Sequence, residues 1–312
     1  MKVRTPVAYF NFVTPEVGMR IAFERLVSAA GTRSCQFAFP AVLCLKEKYG
    51  TEICLTENAA FLRSLHRTAG RIEYFPPLTA EQDFSRSLLA VEQFAIAQNV
   101  SYGFFGLTKE QADILRTVGQ RPYRIEEDRE WAEYVYETKS LATLEGSALK
   151  QKRKEARQCR KACGCRLTAV PLRSADSAEV LAFQQEWMRV HDAAETNTSL
   201  EGENRSIQMA MSRFDSLGLT GVVLRLDGRI VGYSYGCPVG DTYDVLVQKA
   251  TTDVKYLYRV VFQECVLRCA AGYRYINAEE DLGIEGLRRL KLSYHPAFLI
   301  HKYRAVPKED GV

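Results

Sequence analysis

The chain has 312 residues, is 46% apolar and 26% charged, and carries a net charge of +4. That is an ordinary globular composition, long enough for two domains of roughly 100–200 residues each. So small a net charge excludes a chain that is basic over its whole surface, so any nucleic-acid-binding feature must be local.

The opening MKVRTPVAYFNF lacks the apolar core of a signal peptide, and no run approaches the ~18 apolar residues of a spanning helix. Nine scattered cysteines, an odd number, do not form a disulfide framework. A reduced cytoplasmic chain is expected. In chain order, apolar periodicity predicts a helix over 16–30 closed by Gly31. A strand region over 34–44, broken by Pro40, and a strand over 52–55 follow. Residues 58–69 read as a helix closed by Gly70, 71–75 as a strand, 84–98 as an amphipathic helix, 102–107 as a strand and 109–118 as a helix. Residues 133–138 are strand-like, 142–162 helix-rich, 165–170 a strand, and 177–191 and 206–217 helices. The clearest hairpin joins 221–226 to 229–237 through Asp227-Gly228. Strands over 242–250, 273–277 and 297–306 alternate with helices over 256–270 and 283–291. The second half's order of hairpin, strand, helix, strand, short helix and strand resembles that of GNAT acyltransferase domains. The fold class expected is therefore α/β (α+β): two GNAT-like domains, 1–132 and 133–312, each a mixed, mainly antiparallel sheet flanked by helices.

The densest charge cluster is KQKRKEARQCRK. Lys150, Lys154, Arg157 and Lys161 share one helix face and Arg153 borders it, a pattern that suits phosphate binding. A solvated surface face explains the same charges. Cys159, Cys163 and Cys165 lack paired C-x-x-C spacing, so buried thiols explain them better than zinc, and no metal is expected. His66, His191, His295 and His301 form no recognised motif, and no P-loop or dinucleotide fingerprint occurs. His301 reads as a structural residue of the final strand.

The richest junction is INAEEDLGIEGLRRLKLSYHP, residues 276–296. Asn277, Glu279, Glu280 and Asp281 gather acceptors between a strand end and a helix start. Carboxylates there suit an amino group, or a proton moved during attack on an ester. Arg288 and Lys291 share one side of the next helix, with Ile284, Leu287 and Leu290 toward the core. Capping by Asp281 explains one acid well and the cluster less well. Tyr294 is a candidate proton donor; a turn-forming role suits it too.

The run NAEEDLGIEGLRRLKLSYHPAFLIHKYRA resembles the C-terminal signature of the phosphatidylglycerol lysyltransferase C-terminal domain family, tandem GNAT-fold proteins. DTYDVLVQKAT (241–251) and YVYETKSLATLEGSALKQKRKEARQC (134–159) extend the resemblance over about half the chain. It implies transfer of an aminoacyl group from aminoacyl-tRNA to a lipid headgroup, without a bound cofactor; Fem-type transferases share the plan. Glu279, Asp281 and Tyr294 are then the candidate catalytic residues. Lys249, Asn277, Arg288 and Lys291 would bind substrate, and Lys150, Arg153, Lys154 and Arg157 would hold phosphates. Three positions depart from the family pattern: Gln248 where glutamate is usual, Ala278 where arginine is usual, and Tyr256 in place of a glycine. The last weakens the case for coenzyme A, since glycine lets backbone approach a pyrophosphate. The multi-helix membrane domain of the lipid synthases has no counterpart here, so lipid would be reached peripherally, from an anionic membrane surface, or the acceptor would be a soluble molecule. Two alternatives stay open: an acyl-CoA-dependent N-acyltransferase, and a non-catalytic binder of tRNA or anionic lipid.

Overall fold

The computed structural model describes residues 10–192 and 198–308. The helices in chain order are α1 (Arg20–Ala30), α2 (Phe39–Cys44), α3 (Lys46–Tyr49), α4 (Phe84–Ala97), α5 (Lys109–Val118), α6 (Thr138–Thr143), α7 (Lys150–Cys163), α8 (Ser177–Asp192), α9 (Thr198–Ser212), α10 (Leu257–Cys269) and α11 (Glu285–Leu292). The strands are β1 (Thr51–Leu55), β2 (Ala59–Thr68), β3 (Arg71–Tyr74), β4 (Leu78–Thr79), β5 (Tyr102–Leu107), β6 (Tyr123–Glu127), β7 (Glu133–Glu137), β8 (Leu167–Pro171), β9 (Thr220–Leu226), β10 (Arg229–Val239), β11 (Thr242–Ala250), β12 (Tyr275–Glu280), β13 (Phe298–Ile300) and β14 (Tyr303–Pro307). Each of two units is a mixed sheet flanked by helices.

The first unit comprises residues 1–32, 45–132 and 300–312. Its sheet runs β1-β2-β3-β5-β14-β6, with β4 on β2. Within it, β3 and β5 pair in parallel. Most of residues 58–69 are the strand β2 (Ala59–Thr68), not the expected helix. Their Ala, Leu and Arg favour a helix locally, but β2 gains antiparallel partners in β1 and β3, and pairing overrides propensity. Phe61, Tyr74, Leu88, Phe94, Phe104 and Leu115 belong to the core.

The second unit comprises residues 33–44 and 133–299. The contiguous division 1–132 and 133–312 differs from these units in two segments, 33–44 and 300–312. Residues 34–44 are not a strand. A turn at Cys35–Phe37 leads into α2, where Pro40 sits in the first turn, the one place a helix tolerates it. The sheet runs β13-β7-β12-β11-β10-β9-β8. The 297–306 strand is therefore two strands in different sheets, broken at His301-Lys302. His301 Nδ1 lies 2.7 Å from Glu127 Oε1 within the first unit. The Asp227-Gly228 hairpin forms as expected, with φ of +51° and +83°. Tyr136, Val222, Leu257, Val261, Phe262, Ile276 and Tyr294 belong to the core of this unit. Ile284, expected to face it, is 54% exposed.

Candidate active site

Two strands part in the second unit, and the site lies there. β11 and β12 run parallel but pair only over Thr242–Asp244 and Tyr275–Asn277. Beyond Asn277 the register of β12 against β7 slips before Glu280 meets Glu133. Glu279 takes a φ of +57°, a left-handed conformation that costs a side-chain-bearing residue of the order of 1 kcal/mol. Asn277 Oδ1 holds this bend by accepting the Glu279 N–H at 2.8 Å. Across the sheet, β10 bulges between Tyr235 and Cys237 beside Asp244. Gly236 permits that approach, for a Cβ there would sit 1.9 Å from the Asp244 carbonyl oxygen. Openings at the carboxyl ends of parallel strands are the usual ligand sites of such sheets.

Carboxylates fill this opening. Glu133, at the start of β7, is fully buried and accepts from Ser34 Oγ at 2.6 Å, the Cys35 N–H at 2.9 Å and Asn277 Nδ2 at 2.5 Å. Cys35 Sγ donates to Glu280 Oε1 at 3.3 Å. Asp244 is fully buried, and neither carboxylate oxygen has a hydrogen-bond partner among the described residues. Burial, then the charges of Glu279, Glu133 and Glu280, push its carboxyl well above the usual range. Burial and Glu280 push Glu279 up in the same way, against the pull of Lys291. Lys291 Nζ donates to the carbonyl oxygens of Ala278, at 2.5 Å, and Glu280. Burial lowers its ammonium while Glu279 and Glu280 support it. The raised carboxyls hold protons that exposed carboxyls would release, and the cluster favours a cationic guest.

The expected residues divide among three environments. Asn277, Glu279 and Lys291 meet in this opening. Asp281 lies beside it, with its fully buried carboxylate engaged in the scaffold. Arg288 Nε and Nη2 donate to it, each at 2.9 Å, as do Tyr134 Oη at 2.6 Å and the Gly283 N–H at 2.9 Å. Burial would raise this carboxyl, but the bonds from Arg288 and Tyr134 outweigh it and hold it well below the usual range. Tyr294 packs edge-on against Tyr136 and Phe262, with the cations of Lys152 and Arg259 near its ring, and burial pushes its phenol up to about 12. Its ring thus packs into the core and not against the carboxylates.

Lys249 pairs with Glu203 of α9 at 2.8 Å and lies 4.0 Å from the centre of the Trp187 ring. The charge of Glu203 acts on Glu279, so this pair borders the opening. Gln248 donates to the Tyr258 carbonyl at 2.9 Å, and Ala278 serves through its backbone oxygen. Tyr256 keeps a left-handed φ of +66° at the start of α10 although it is not glycine. Glu133, Asp244 and Cys35 were missed from sequence. The available signal was a lone acid inside an apolar strand, as in TYDVLV.

On α7, Lys150, Lys154, Arg157 and Lys161 are exposed, and no acid is bonded to any of them among the described residues. Arg153 instead donates to the carbonyl oxygens of Leu144 and Gly146, closing the end of α6. An Arg153→Ala variant should lose about 1 kcal/mol in urea unfolding while leaving anion affinity unchanged. Loss of affinity at unchanged stability would return Arg153 to the binding face. All nine cysteines are free thiols. The His191 side chain lies outside the described residues. No helix among the described residues is long and apolar enough to cross a membrane.

The fold matches solved structures. One is a conserved protein of unknown function from Bacteroides thetaiotaomicron, 27% identical, with a TM-score of 0.89 over 96% of this chain and 100% of that one. L-PGS from Bacillus licheniformis matches at 14% identity and a TM-score of 0.63, over 93% of this chain and 92% of that one. FemX matches at 8% identity and 0.59, over 94% and 96%. The last two likenesses speak for the fold alone. Among curated proteins, none matches the sequence. The profile of one family spans residues 29–306, most of the sequence, and the chain therefore belongs to the family described as phosphatidylglycerol lysyltransferase, C-terminal.

Proposed function

We propose that the chain is an aminoacyl transferase that moves an aminoacyl group from aminoacyl-tRNA to a lipid headgroup, with the reacting end of the donor where β11 and β12 part. The observation that carries this reading is the set of buried carboxylates in that opening, in a chain of a lysyltransferase family. An apolar core has no use for them, whereas a donor bearing an ammonium group does. In the step proposed, Glu279 takes the proton of the acceptor hydroxyl as its oxygen attacks the ester carbonyl. The ester C–O bond breaks and Glu279 returns that proton to the leaving ribose oxygen, which restores the carboxylate. Lys291, fixed by two carbonyls, offsets charge as it develops. Because the ester is already activated, positioning and charge stabilisation supply most of the rate.

The exposed face of α7 suits the donor's phosphates. Reversing Lys150, Lys154 and Arg157 to glutamate should weaken tRNA binding. It should also flatten the dependence of log affinity on log salt by roughly one for each phosphate no longer held. The decisive assay supplies radiolabelled lysyl-tRNA and phosphatidylglycerol vesicles to the purified chain. Label in the lipid phase supports the reading. Label transferred only from acyl-CoA, or salt-dependent tRNA binding with no transfer, overturns it.

A further inference from the structure

The cluster beneath Glu279 has a second property. Cys35 Sγ and carboxylate oxygens of Glu133 and Glu280 all lie within 4.8 Å of one another. Glu133 is held in place by Ser34, Cys35 and Asn277, the kind of outer support that orients metal-binding carboxylates. Asp244 is the independent observation. It is fully buried, with no hydrogen-bond partner on either oxygen among the described residues. It stands opposite Asn277 in the parallel register, and register neighbours share a sheet face. Asn277 itself touches Glu133, so Asp244 is aimed at the same cluster. Lys291 is bonded to the Ala278 and Glu280 carbonyls.

We propose that Cys35, Glu133, Asp244 and Glu280 form a divalent-cation site that takes Zn²⁺. One sulfur and three carboxylate donors suit a borderline ion that accepts both S and O ligands; Mg²⁺ and Ca²⁺ favour oxygen alone. Binding releases the Cys35 proton to solvent, and a thiolate with three carboxylates receives the double charge. Four protein ligands leave no open position, so the ion is structural. It ties the turn at Cys35 to β7, β11 and β12 of the second unit. The ion would take Glu133, Asp244 and Glu280, so in the transferase reading Glu279 and Glu203, which are not ligands, remain to meet the donor's ammonium.

The test uses the full chain, stripped with EDTA and titrated with Zn²⁺ or Co²⁺ alone. Expected results are one equivalent bound, a raised melting temperature, and a near-ultraviolet thiolate-to-cobalt band. Cys35→Ser should abolish that band. Asp244→Asn, which keeps the side-chain shape, should weaken binding more than roughly 100-fold, because loss of outer-shell partners alone costs 10–100-fold. Cys165→Ser, at an exposed thiol, should change nothing. If Cys35→Ser fails to fold, Asp244→Asn decides. The absence of stoichiometric binding, a cobalt spectrum without the thiolate band, or unchanged affinity in Asp244→Asn overturns the proposal.

Discussion

Glu279→Gln should lower the turnover of aminoacyl transfer by about 10²–10³-fold, with KM little changed and the fold intact. The substitution preserves size, and the Glu279 N–H still reaches Asn277 Oδ1 to hold the left-handed bend. The proton acceptor is lost, together with the charge that most supports the Lys291 ammonium in its buried position. Lys291→Met should also reduce turnover, through lost charge stabilisation, and because the Glu279 charge supports the Lys291 ammonium the two losses should combine less than additively. Steady-state kinetics at saturating donor, beside a circular dichroism melt, separate the cases. A rise in KM at unchanged turnover would make Glu279 a grip on the donor's amino group. Wild-type rates in both variants would remove this opening from the chemistry altogether.

How the site is assembled explains what could be read from sequence. Asn277, Glu279 and Lys291 lie within fifteen residues, so a local reading finds them together. Glu133, Cys35 and Asp244 come from other parts of the chain and meet only through sheet order and the β11–β12 splay. Asp281 and Arg288 were legible as neighbours, but not as partners that bond to each other rather than to a ligand. The Asp227-Gly228 turn was legible because its dihedrals demand those residue types. Residues 34–44 and 58–69 were not, because long-range pairing and packing overrode their local signals. The first unit makes the contrast at its own parallel pair, β3 and β5. There Phe75 and Phe105 pack edge-on, with Trp131 against Phe105 and the Arg67 guanidinium over the rings. That point also holds a buried carboxylate, Glu73 of β3, but it is bonded to Arg71 and Thr68, whereas the equivalent point in the second unit gathers Glu133, Asp244, Glu279 and Glu280. Chemistry is expected in the second unit.

Asp281→Ala should destabilise the second unit by about 2–3 kcal/mol, the largest stability effect expected of any single residue at the site. The wild-type carboxylate is fully buried yet ionised, because Arg288, Tyr134 and the Gly283 N–H all donate to it. Its deletion leaves the buried Tyr134 hydroxyl without this acceptor. It also frees the loop that sets where α11 begins. Arg288 is 29% exposed, so water recovers part of its loss, and the effect falls short of that for a fully enclosed pair. Asp281→Asn, which keeps the acceptor for Tyr134 but not the charge for Arg288, should lose less. Urea unfolding measures both, read as a shift in midpoint at unchanged slope. α11 also carries Lys291, whose ammonium is placed against the Ala278 and Glu280 carbonyls just before Asp281. Transfer by Asp281→Ala should therefore fall even at temperatures where the variant is fully folded. If activity tracks only the folded fraction, Asp281 supports the fold without positioning Lys291.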